Sequence, residues 1–443
     1  MKSKKRSLIA FDDLNLMIIS EGFCTLCGAC EAACPVHAIK IEENKLSYDD
    51  CSRFLDLCPI CYDICPHTEP LLIEAMKFVA EAPMRREALG CYRKIMLAQA
   101  VEPKLREASH SGGVVTALLT HALENGIIDS AIISEAETQA PLKLKPLVGL
   151  VPDDVLSAVD SKFSPSAVAK AFGSAVRDYG KAKIAFVGVP HQILALRKLE
   201  VWEHKIMESL EMTIGLFCLW IFSLNQLLNY LANKFNIETS KIEKIDLTEM
   251  YNVYTTQGVL KIPISEVIPH VLNRCRTCMD FTSELADISV GGASPLKEWS
   301  TVIVRTKKGE EFFDDVVKSG AIETMEIETA HDVFTHLINL ATHKRRIALR
   351  EVKKMKRAKK LIPPAMDRLS MALPRETALL AGVKVKDEMA KHVVTVTPKI
   401  TVSQLLDIIT EHHHMGYPVV NERGELTGIV TFEDVAKVPK QKR

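Results

Sequence analysis

The chain has 443 residues, which is too long for one ordinary domain and indicates two to four. A hydrophobic content of 47% and a charged content of 25% are typical of a globular protein, and a formal net charge of zero argues against nucleic acid as a partner. The longest strongly apolar run, 214–222, is far shorter than the roughly 20 residues that span a bilayer. The basic start of the chain contains no apolar core of signal-peptide length, so we expect a cytoplasmic protein without a transmembrane segment.

The sequence pattern divides the chain into three parts. A cysteine-rich stretch with short loops comes first, and alternating strand-like and helix-like segments follow it, as in an α/β domain. The stretch 343–360 contains ten Lys or Arg residues against one Glu and predicts a basic helix. A solvated helix face is the simplest interpretation of that helix, and steering of an acidic partner is the alternative. We predict domain boundaries that give 1–84, 85–362 and 363–443, the last comprising a linker and a small module.

Cysteine is the most informative residue type, because eight of the twelve cysteines lie between Cys24 and Cys65. Disulfides belong mainly to small secreted domains, so metal or iron–sulfur ligation is the better interpretation. The stretch CTLCGACEAACP has the spacing of a bacterial-type ferredoxin, and CSRFLDLCPICYDICP repeats its end after a longer first gap. The fourth cysteine of each such motif ligates the other cluster. We therefore predict a ferredoxin-like α+β segment with two [4Fe–4S] clusters, held by Cys24, Cys27, Cys30 and Cys65 and by Cys51, Cys58, Cys61 and Cys34. A zinc site is the alternative.

The central part contains a strand that turns directly into a helix. In KIAFVGVPHQILALRK, 183–198, a buried strand is broken at Gly188 and Pro190 and continues as a helix, with His191 at the turn. This stretch belongs to a longer series of ordered motifs. Five motifs in this order together resemble the beta-subunit family of coenzyme F420 hydrogenases and dehydrogenases. They are SGGVVTALLTHALENGIIDSAII, VGVPHQILALRKL, IGLFC, RCRTCMDFTSELADISVGG and STVIVRTKKG.

The resemblance covers about 85–340 and implies an α/β domain that binds FAD and passes electrons between the deazaflavin coenzyme F420 and an iron–sulfur cluster. A helix start with small residues and free backbone N–H groups suits a phosphate or a flavin edge, and its residues are Ser109, Gly112, Gly113 and Thr116. An ordinary N-cap is the alternative.

Lys162, in SKFSP, matches a family segment near the cofactor, with a solvated surface lysine as the alternative. The family's glycines before Trp299 are replaced in GGASPLKEW, so we expect a flavin or deazaflavin pocket that differs in detail.

The resemblance also implies a third cluster. In the family, a cysteine at the strand-to-helix turn joins the later cysteines of GLFC and C-x2-C, and here that position is His191. Three thiolates and one imidazole complete a [4Fe–4S] site, because imidazole is an acceptable iron ligand. The predicted ligands are His191, Cys218, Cys275 and Cys278. A hydrogen-bonded histidine at the helix start is the alternative, with Cys91 as the competing fourth ligand.

The end of the chain resembles a single CBS module. In such modules the Thr and Asp of a G-h-x-T-x-x-D motif hold an adenosine ribose, so GIVTFEDV points to Thr431 and Asp434. An adenine nucleotide is therefore a candidate ligand of this module. CBS modules work in pairs and only one is present, so we expect an oligomer formed through the module or a purely structural role.

Together these features predict an iron–sulfur flavoprotein, an oxidoreductase that transfers electrons between coenzyme F420 and a partner redox subunit through FAD and [4Fe–4S] clusters. The resemblance implies partners such as a hydrogenase, a formate dehydrogenase or a heterodisulfide reductase. The basic helix then has a second candidate role, attracting the anionic tail of the deazaflavin. The sequence assigns no catalytic residue. The competing hypothesis is a nucleotide-gated, ferredoxin-like electron relay without hydride-transfer activity of its own.

Overall fold

The computed structural model of the chain describes residues 10–42, 45–49, 51, 58–86, 88–109, 111–137, 140–158, 164–238, 241–247, 250–372, 393–412, 416–431 and 434–435. The chain divides into two compact units, Met1–Ala372 and Leu373–Arg443. Within the described ranges, no helix is both long enough and apolar enough to cross a membrane. The candidate Lys162 lies outside the described residues.

The cysteine-rich segment consists of short helices around one hairpin. Its elements are α1 (Ala10–Leu14), a π-helical turn (Asn15–Ile19), α2 (Ala29–Ala33), the antiparallel strands β1 (Ile39–Glu42) and β2 (Lys45–Tyr48), α3 (Ile60–Asp63) and α4 (Leu72–Met76). Gly28 precedes α2 with a φ of 88°, and a Cβ there would lie 2.6 Å from the backbone nitrogen of Lys170. The cysteine loop therefore lies directly against the central part of the chain, and only glycine fits at this contact.

An eight-stranded mixed sheet forms the centre of the first unit. After a small hairpin of β3 (Met84–Arg86) and β4 (Gly90–Tyr92), the chain forms β5 (Lys94–Ala100), β6 (Ser130–Glu137), β7 (Ala140–Gly149), β8 (Ile184–Gly188) and β9 (Leu210–Leu216). A separate three-stranded sheet comprises β10 (Ile242–Leu247), β11 (Tyr251–Thr255) and β12 (Gly258–Ile262), and the large sheet is completed by β13 (Ile288–Ala293), β14 (Leu296–Val304) and β15 (Ile322–Glu326). The spatial order is β15-β5-β14-β13-β9-β8-β6-β7, and β13, β9, β8 and β6 run parallel.

Helices cover both faces of this sheet. The helices of the first unit after α4 are α5 (Pro103–Ala108), α6 (Val114–Glu124), α7 (Pro152–Ser157), α8 (Val168–Arg177), α9 (Pro190–Val201), α10 (Leu224–Phe235), α11 (Ile264–Val267), α12 (Lys307–Ser319), α13 (His331–Arg357) and α14 (Pro364–Ala372). Of these, α10 and α11 pack with the three-stranded sheet. Alternate residues of β8 serve opposite faces: Val187 joins the core under α6 and α12, whereas Phe186 packs edge-to-face on Phe172 of α8 at 6.2 Å between ring centroids. All five residues of β8 are buried, as expected for a strand covered on both sides. The predicted α/β class is confirmed.

The two ends of the first unit pack onto this framework. Ala29, Ala32 and Ala33 of α2 share one apolar core with α8 and α9, so the cysteine-rich segment continues the helical layer of the central part. Helix α14 packs against α4 and α9, and it therefore belongs to the first unit although it follows the predicted boundary at 363. The basic stretch forms the second half of α13, where most Lys and Arg side chains are exposed but Lys344 is fully buried.

The second unit is small. Helix α15 (Val402–His412) precedes the antiparallel strands β16 (Gly416–Val420) and β17 (Leu426–Thr431). A short parallel bridge joins Val396 to Val419. The core of this unit is formed by Val396, Leu405, Tyr417 and Val435.

Candidate electron-transfer site

The first group of thiols surrounds the loop before α2. Cys24, Cys27 and Cys30 lie on or next to this loop, and Cys65 follows α3. Burial raises the pKa of the Cys27 thiol to about 12, and the nearby thiols of Cys65 and Cys24 raise it further in the same direction. Burial likewise raises the pKa of Cys65 to about 11. Buried thiols become thiolates only beside a compensating positive charge, so this group suits an iron cluster.

A second group of thiols surrounds Cys61 on α3. Burial is the main reason that the pKa of Cys61 rises to about 12, and the thiols of Cys58, Cys34 and Cys51 add to the rise. Thiols that bind one zinc ion all lie within about 2.3 Å of it. Among the described residues, no three His, Cys, Asp or Glu side chains converge closely enough to hold a single metal ion. The preference for clusters over zinc rests on the ferredoxin spacing of these cysteines.

A third group of thiols lies under α13. Cys218 follows β9, and Cys275 and Cys278 lie on and after the 3-10 turn Asn273–Thr277. Burial raises the pKa of Cys218 to about 12, which Lys344 opposes and the other two thiols reinforce. The Lys344 ammonium donates to the backbone carbonyl oxygens of Cys218 and Asp280, so a buried cation fixes the loop that carries these thiols.

His191 lies in the first turn of α9, beside this third group. The turn is closed by the side-chain oxygen of Gln192, which accepts from the backbone N–H of Val189 at 2.9 Å. Burial lowers the pKa of His191 to about 3, and Arg274 and Lys344 lower it further, so its imidazole is neutral. Its Nε2 atom is buried and has no hydrogen-bond partner among the described residues. An orphaned nitrogen on a neutral imidazole fits a ligand better than the alternative of a hydrogen-bonded helix-start residue.

Cys91 lies elsewhere in the unit, on β4. Its backbone carbonyl accepts a hydrogen bond of 2.8 Å from the guanidinium of Arg305, and Cys91 in turn influences the pKa of that arginine. Arg305 is buried and also donates to Ser289 and Thr282. The described interactions of Cys91 thus belong to the surroundings of Arg305.

A cleft of about 310 Å³ opens where the parallel strands end, the edge at which α/β sheets bind ligands. Three predicted residues, Ser109, Gly113 and Thr116, line it together with the first residues of α6. Gly112 lies behind the cleft, since a Cβ there would come within 2.9 Å of the backbone nitrogen of Ser300. The opposite wall includes Cys218, so the third thiol group borders the cleft.

Several polar residues of the cleft were not predicted. The Ser164 hydroxyl is buried and has no partner among the described residues, and Ser134 donates to the hydroxyl of Ser166 at 2.8 Å. Gln192 donates to the backbone carbonyl of Ser166 at 2.8 Å, which joins the helix of His191 to the cleft. Ser164 belongs to SKFSP, so the motif that contains the predicted residue Lys162 also contributes a residue to the cleft.

The stretch in which the sequence departs from the family also reaches the cleft. Gly291 and Gly292 line it, and a Cβ on Gly291 would lie 2.0 Å from the ring of Phe217. Glycine at position 291 is therefore required to admit that ring. Gly291 and Gly292 of this stretch therefore form part of the wall of the cleft.

In the second unit, the two predicted nucleotide residues contact each other. The Asp434 carboxylate accepts from the hydroxyl of Thr431 at 2.7 Å and from its backbone N–H at 3.0 Å. The hydroxyl and the carboxylate are thereby held together at the end of β17.

The fold and the thiol groups together define an iron–sulfur protein of the α/β class. The family described as coenzyme F420 hydrogenase/dehydrogenase, beta subunit, matches its N-terminal part over residues 95–172 and its C-terminal part over residues 181–330. The chain belongs to this family. A 4Fe-4S binding domain matches residues 17–40, and a CBS domain matches residues 385–440. The predicted family, 4Fe–4S domain and CBS module are confirmed.

The relatives of this chain include several oxidoreductases. The coenzyme F420 hydrogenase subunit beta of Methanosarcina barkeri is 31% identical over 261 residues, which cover 58% of this chain and 89% of that protein. The coenzyme F420-dependent sulfite reductase of Methanocaldococcus jannaschii is 31% identical over 329 residues, 70% of this chain and 48% of that enzyme. A solved chain of the F420-reducing [NiFe] hydrogenase complex from Methanosarcina barkeri matches with a TM-score of 0.59 and 29% identity, over 63% of this chain and 98% of that one.

Proposed function

We propose that this chain is an iron–sulfur flavoprotein that transfers electrons between coenzyme F420 and a partner redox subunit. One observation carries the proposal: Cys218 belongs both to the third thiol group and to the wall of the cleft. A flavin in this cleft therefore borders a cluster site. The names of the relatives support coenzyme F420 as the hydride carrier.

The cleft residues fit FAD. The N–H groups in the first turn of α6 and the positive end of its dipole favour a phosphate at Val114 and Val115, whereas the N–H of Gly113 donates to the carbonyl of Ser111 at 2.7 Å. The unpartnered hydroxyl of Ser164 offers a hydrogen bond to a bound polar group. When bound, FAD supplies the conversion between two-electron hydride carriers and one-electron clusters. The chain's own contribution is to hold the cofactor, exclude water with the apolar ends of the strands, and place Cys218 beside it.

The thiol groups fit three cluster sites. The first is assigned to Cys24, Cys27, Cys30 and Cys65, the second to Cys34, Cys51, Cys58 and Cys61, and the third to Cys218, Cys275, Cys278 and His191. The 4Fe-4S binding domain matches residues 17–40, which include Cys24, Cys27, Cys30 and Cys34. Because each of the first two sites takes at least one ligand from this segment, we assign them the exit toward the partner. The hydrogenase complex that contains the structural relative supports a redox partner of this kind.

An anaerobic purification tests the proposed function. We expect the full chain to be isolated with extractable FAD, and its flavin absorbance to bleach when reduced coenzyme F420 is added. Iron and flavin are quantified on the same sample. Clusters without flavin, and no bleaching after reconstitution with FAD, would reject this function and favour the nucleotide-gated relay.

Gly113→Ala tests the flavin site. The variant places a methyl group 2.6 Å from the carbonyl oxygen of Leu105, at a φ of 65°, so the first turn of α6 must move. Displacing this turn weakens its contact with a bound phosphate, and a loss of about 1.4 kcal/mol in binding free energy corresponds to a tenfold loss of affinity. We expect FAD binding to weaken by about tenfold or more in a flavin titration.

Gly126→Ala is the matched control for this prediction. Its φ is 64°, but no atom lies within 4 Å of the added Cβ, and it lies beyond the other end of α6. It therefore imposes similar backbone strain away from the cleft, and we expect normal flavin affinity. Equal flavin affinities in the two variants would remove α6 from the binding site.

Asp434→Ala tests the CBS module. If Thr431 and Asp434 hold a ribose, millimolar AMP or ATP raises the melting temperature of the native protein by mass action. We expect Asp434→Ala to abolish this shift and to leave the iron content unchanged. Glu422→Ala, which removes an exposed partner of Lys399, is the control and keeps the shift. A native protein that no adenine nucleotide stabilises would leave the module as a pairing element.

A further inference from the structure

A line of three buried polar side chains joins the first and third thiol groups. The Nε–H of Arg274 donates to Nδ1 of His67 at 2.7 Å, and Nε2 of His67 lies 3.0 Å from the hydroxyl of Thr25. Arg274, His67 and Thr25 are exposed by only 3%, 1% and 2%. These residues come from distant parts of the sequence, and burial of all three requires that their polar atoms be partnered.

The chemistry of arginine fixes the direction of these hydrogen bonds. A guanidinium has only donors, so Nδ1 of His67 must be the acceptor. The proton of this neutral imidazole is then on Nε2, which donates to the Thr25 hydroxyl. The charge of Arg274 is permanent in proteins, so this line holds a fixed cation whose orientation is set at its His67 end.

Each end of the line is adjacent to a predicted cluster ligand. Thr25 directly follows Cys24, and Thr25 and His67 line a small cavity with the thiols of the first group. Arg274 directly precedes Cys275 and influences the thiols of both Cys275 and Cys65. Its Nη1 atom is buried without a partner among the described residues, as is Nε2 of His191. Two orphaned polar atoms close to the third thiol group favour an anionic occupant there.

We propose that Arg274, held by His67 and Thr25, is a positioning and tuning residue shared by the first and third cluster sites. This inference rests on the proposed function, because it requires the third site. A fixed positive charge favours the more negative, reduced state of each cluster, so Arg274 raises both reduction potentials. The second site is not part of the line: the cavity that Thr25 and His67 line holds the thiols of the first group, and among the described residues around it none is Cys34, Cys51, Cys58 or Cys61. Arg274 thus identifies the first ferredoxin site as the one coupled to the flavin domain.

A redox titration of the anaerobic full-length protein, followed by EPR, tests the proposal. In Arg274→Met, we expect the potentials of two clusters to fall together and that of the remaining cluster to stay unchanged. Arg106→Met is the matched control, since Arg106 donates to the backbone carbonyls of Ala100 and Val101 and neighbours no predicted cluster ligand in the sequence. The control should leave all three potentials in place. A shift of one cluster alone, of all three equally, or of none would overturn the proposal.

Two further measurements separate the causes of failure. Arg274→Lys keeps the charge, so we expect it to restore most of both potentials; if it lowers them as much as Met does, charge is not the cause and the proposal fails. Should Arg274→Met not fold, Arg274→Gln replaces it in the same comparison. Native protein with about eight irons instead of about twelve would refute the third site itself, whereas about twelve irons and unmoved potentials would refute only the role of Arg274.

Discussion

Replacing His191 with alanine is expected to reduce the iron content from about twelve to about eight atoms per chain, or to leave a three-iron cluster at the third site. The reason is the neutral imidazole at the start of α9, whose buried Nε2 has no partner among the described residues. Alanine offers no fourth ligand beside Cys218, Cys275 and Cys278. Iron analysis and EPR of the anaerobic full-length protein measure the loss.

His191→Cys distinguishes ligation from simple packing. A thiolate adds one negative charge relative to the neutral imidazole, so the variant should keep about twelve irons and lower the potential of one cluster. His331→Ala is the control, because His331 is exposed at the start of α13 and is far in sequence from every predicted ligand. If His191→Ala keeps the native iron content, spectrum and potential, the assignment is wrong and Cys91 becomes the first candidate.

The second large effect is expected in the framework that supports the cleft. Asp287, which precedes β13, accepts hydrogen bonds from Thr213 and Thr306 and pairs with Arg197 at 3.1 Å. Removing one partner of a buried ion pair leaves an uncompensated charge and costs about 3–5 kcal/mol. We expect Asp287→Ala to lower the free energy of unfolding by about this amount, as measured by anaerobic denaturant unfolding.

The pH dependence of this pair has a definite sign. Burial alone would raise the pKa of Asp287, but Arg197 and the hydroxyl donors outweigh it and hold the pKa below its ordinary value of 3.8. A carboxyl with a depressed folded pKa contributes stability that is fully present above 3.8 and is lost as the pH falls through the folded value. Asp287→Ala should therefore lose this acidic dependence.

Glu311→Ala is the surface control for Asp287→Ala. Glu311 pairs with Lys307 at 3.7 Å, and both side chains are mostly exposed, so the change should stay within about 0.5 kcal/mol. The double variant Arg197→Met with Asp287→Leu should recover much of the lost stability, since both charges are then removed. A cost below about 1 kcal/mol for Asp287→Ala would contradict this account.

Features that depend on neighbouring residues could be predicted from the sequence more fully than contacts between residues that are far apart in it. The cysteine spacing depends on a short loop, and the strand, turn and helix around His191 follow from consecutive apolar and breaking residues, so both could be predicted. The line from Thr25 through His67 to Arg274 could not, because 207 residues separate its last two members. Lys344 shows the same limit. The basic composition of 343–360 predicted a solvated helix face, but Lys344 is buried and donates to carbonyl groups that are distant in the sequence.

The contact between Gly28 and Lys170 has a kinetic consequence. Because α2 shares its apolar core with α8 and α9, the cysteine-rich segment cannot leave the central α/β part without exposing that core. It is thus unlike a diffusible ferredoxin, whose delivery of electrons depends on collisions. Transfer inside this chain is expected to be first order, with a rate independent of protein concentration, and only the last step to the partner subunit is expected to respond to dilution and to salt.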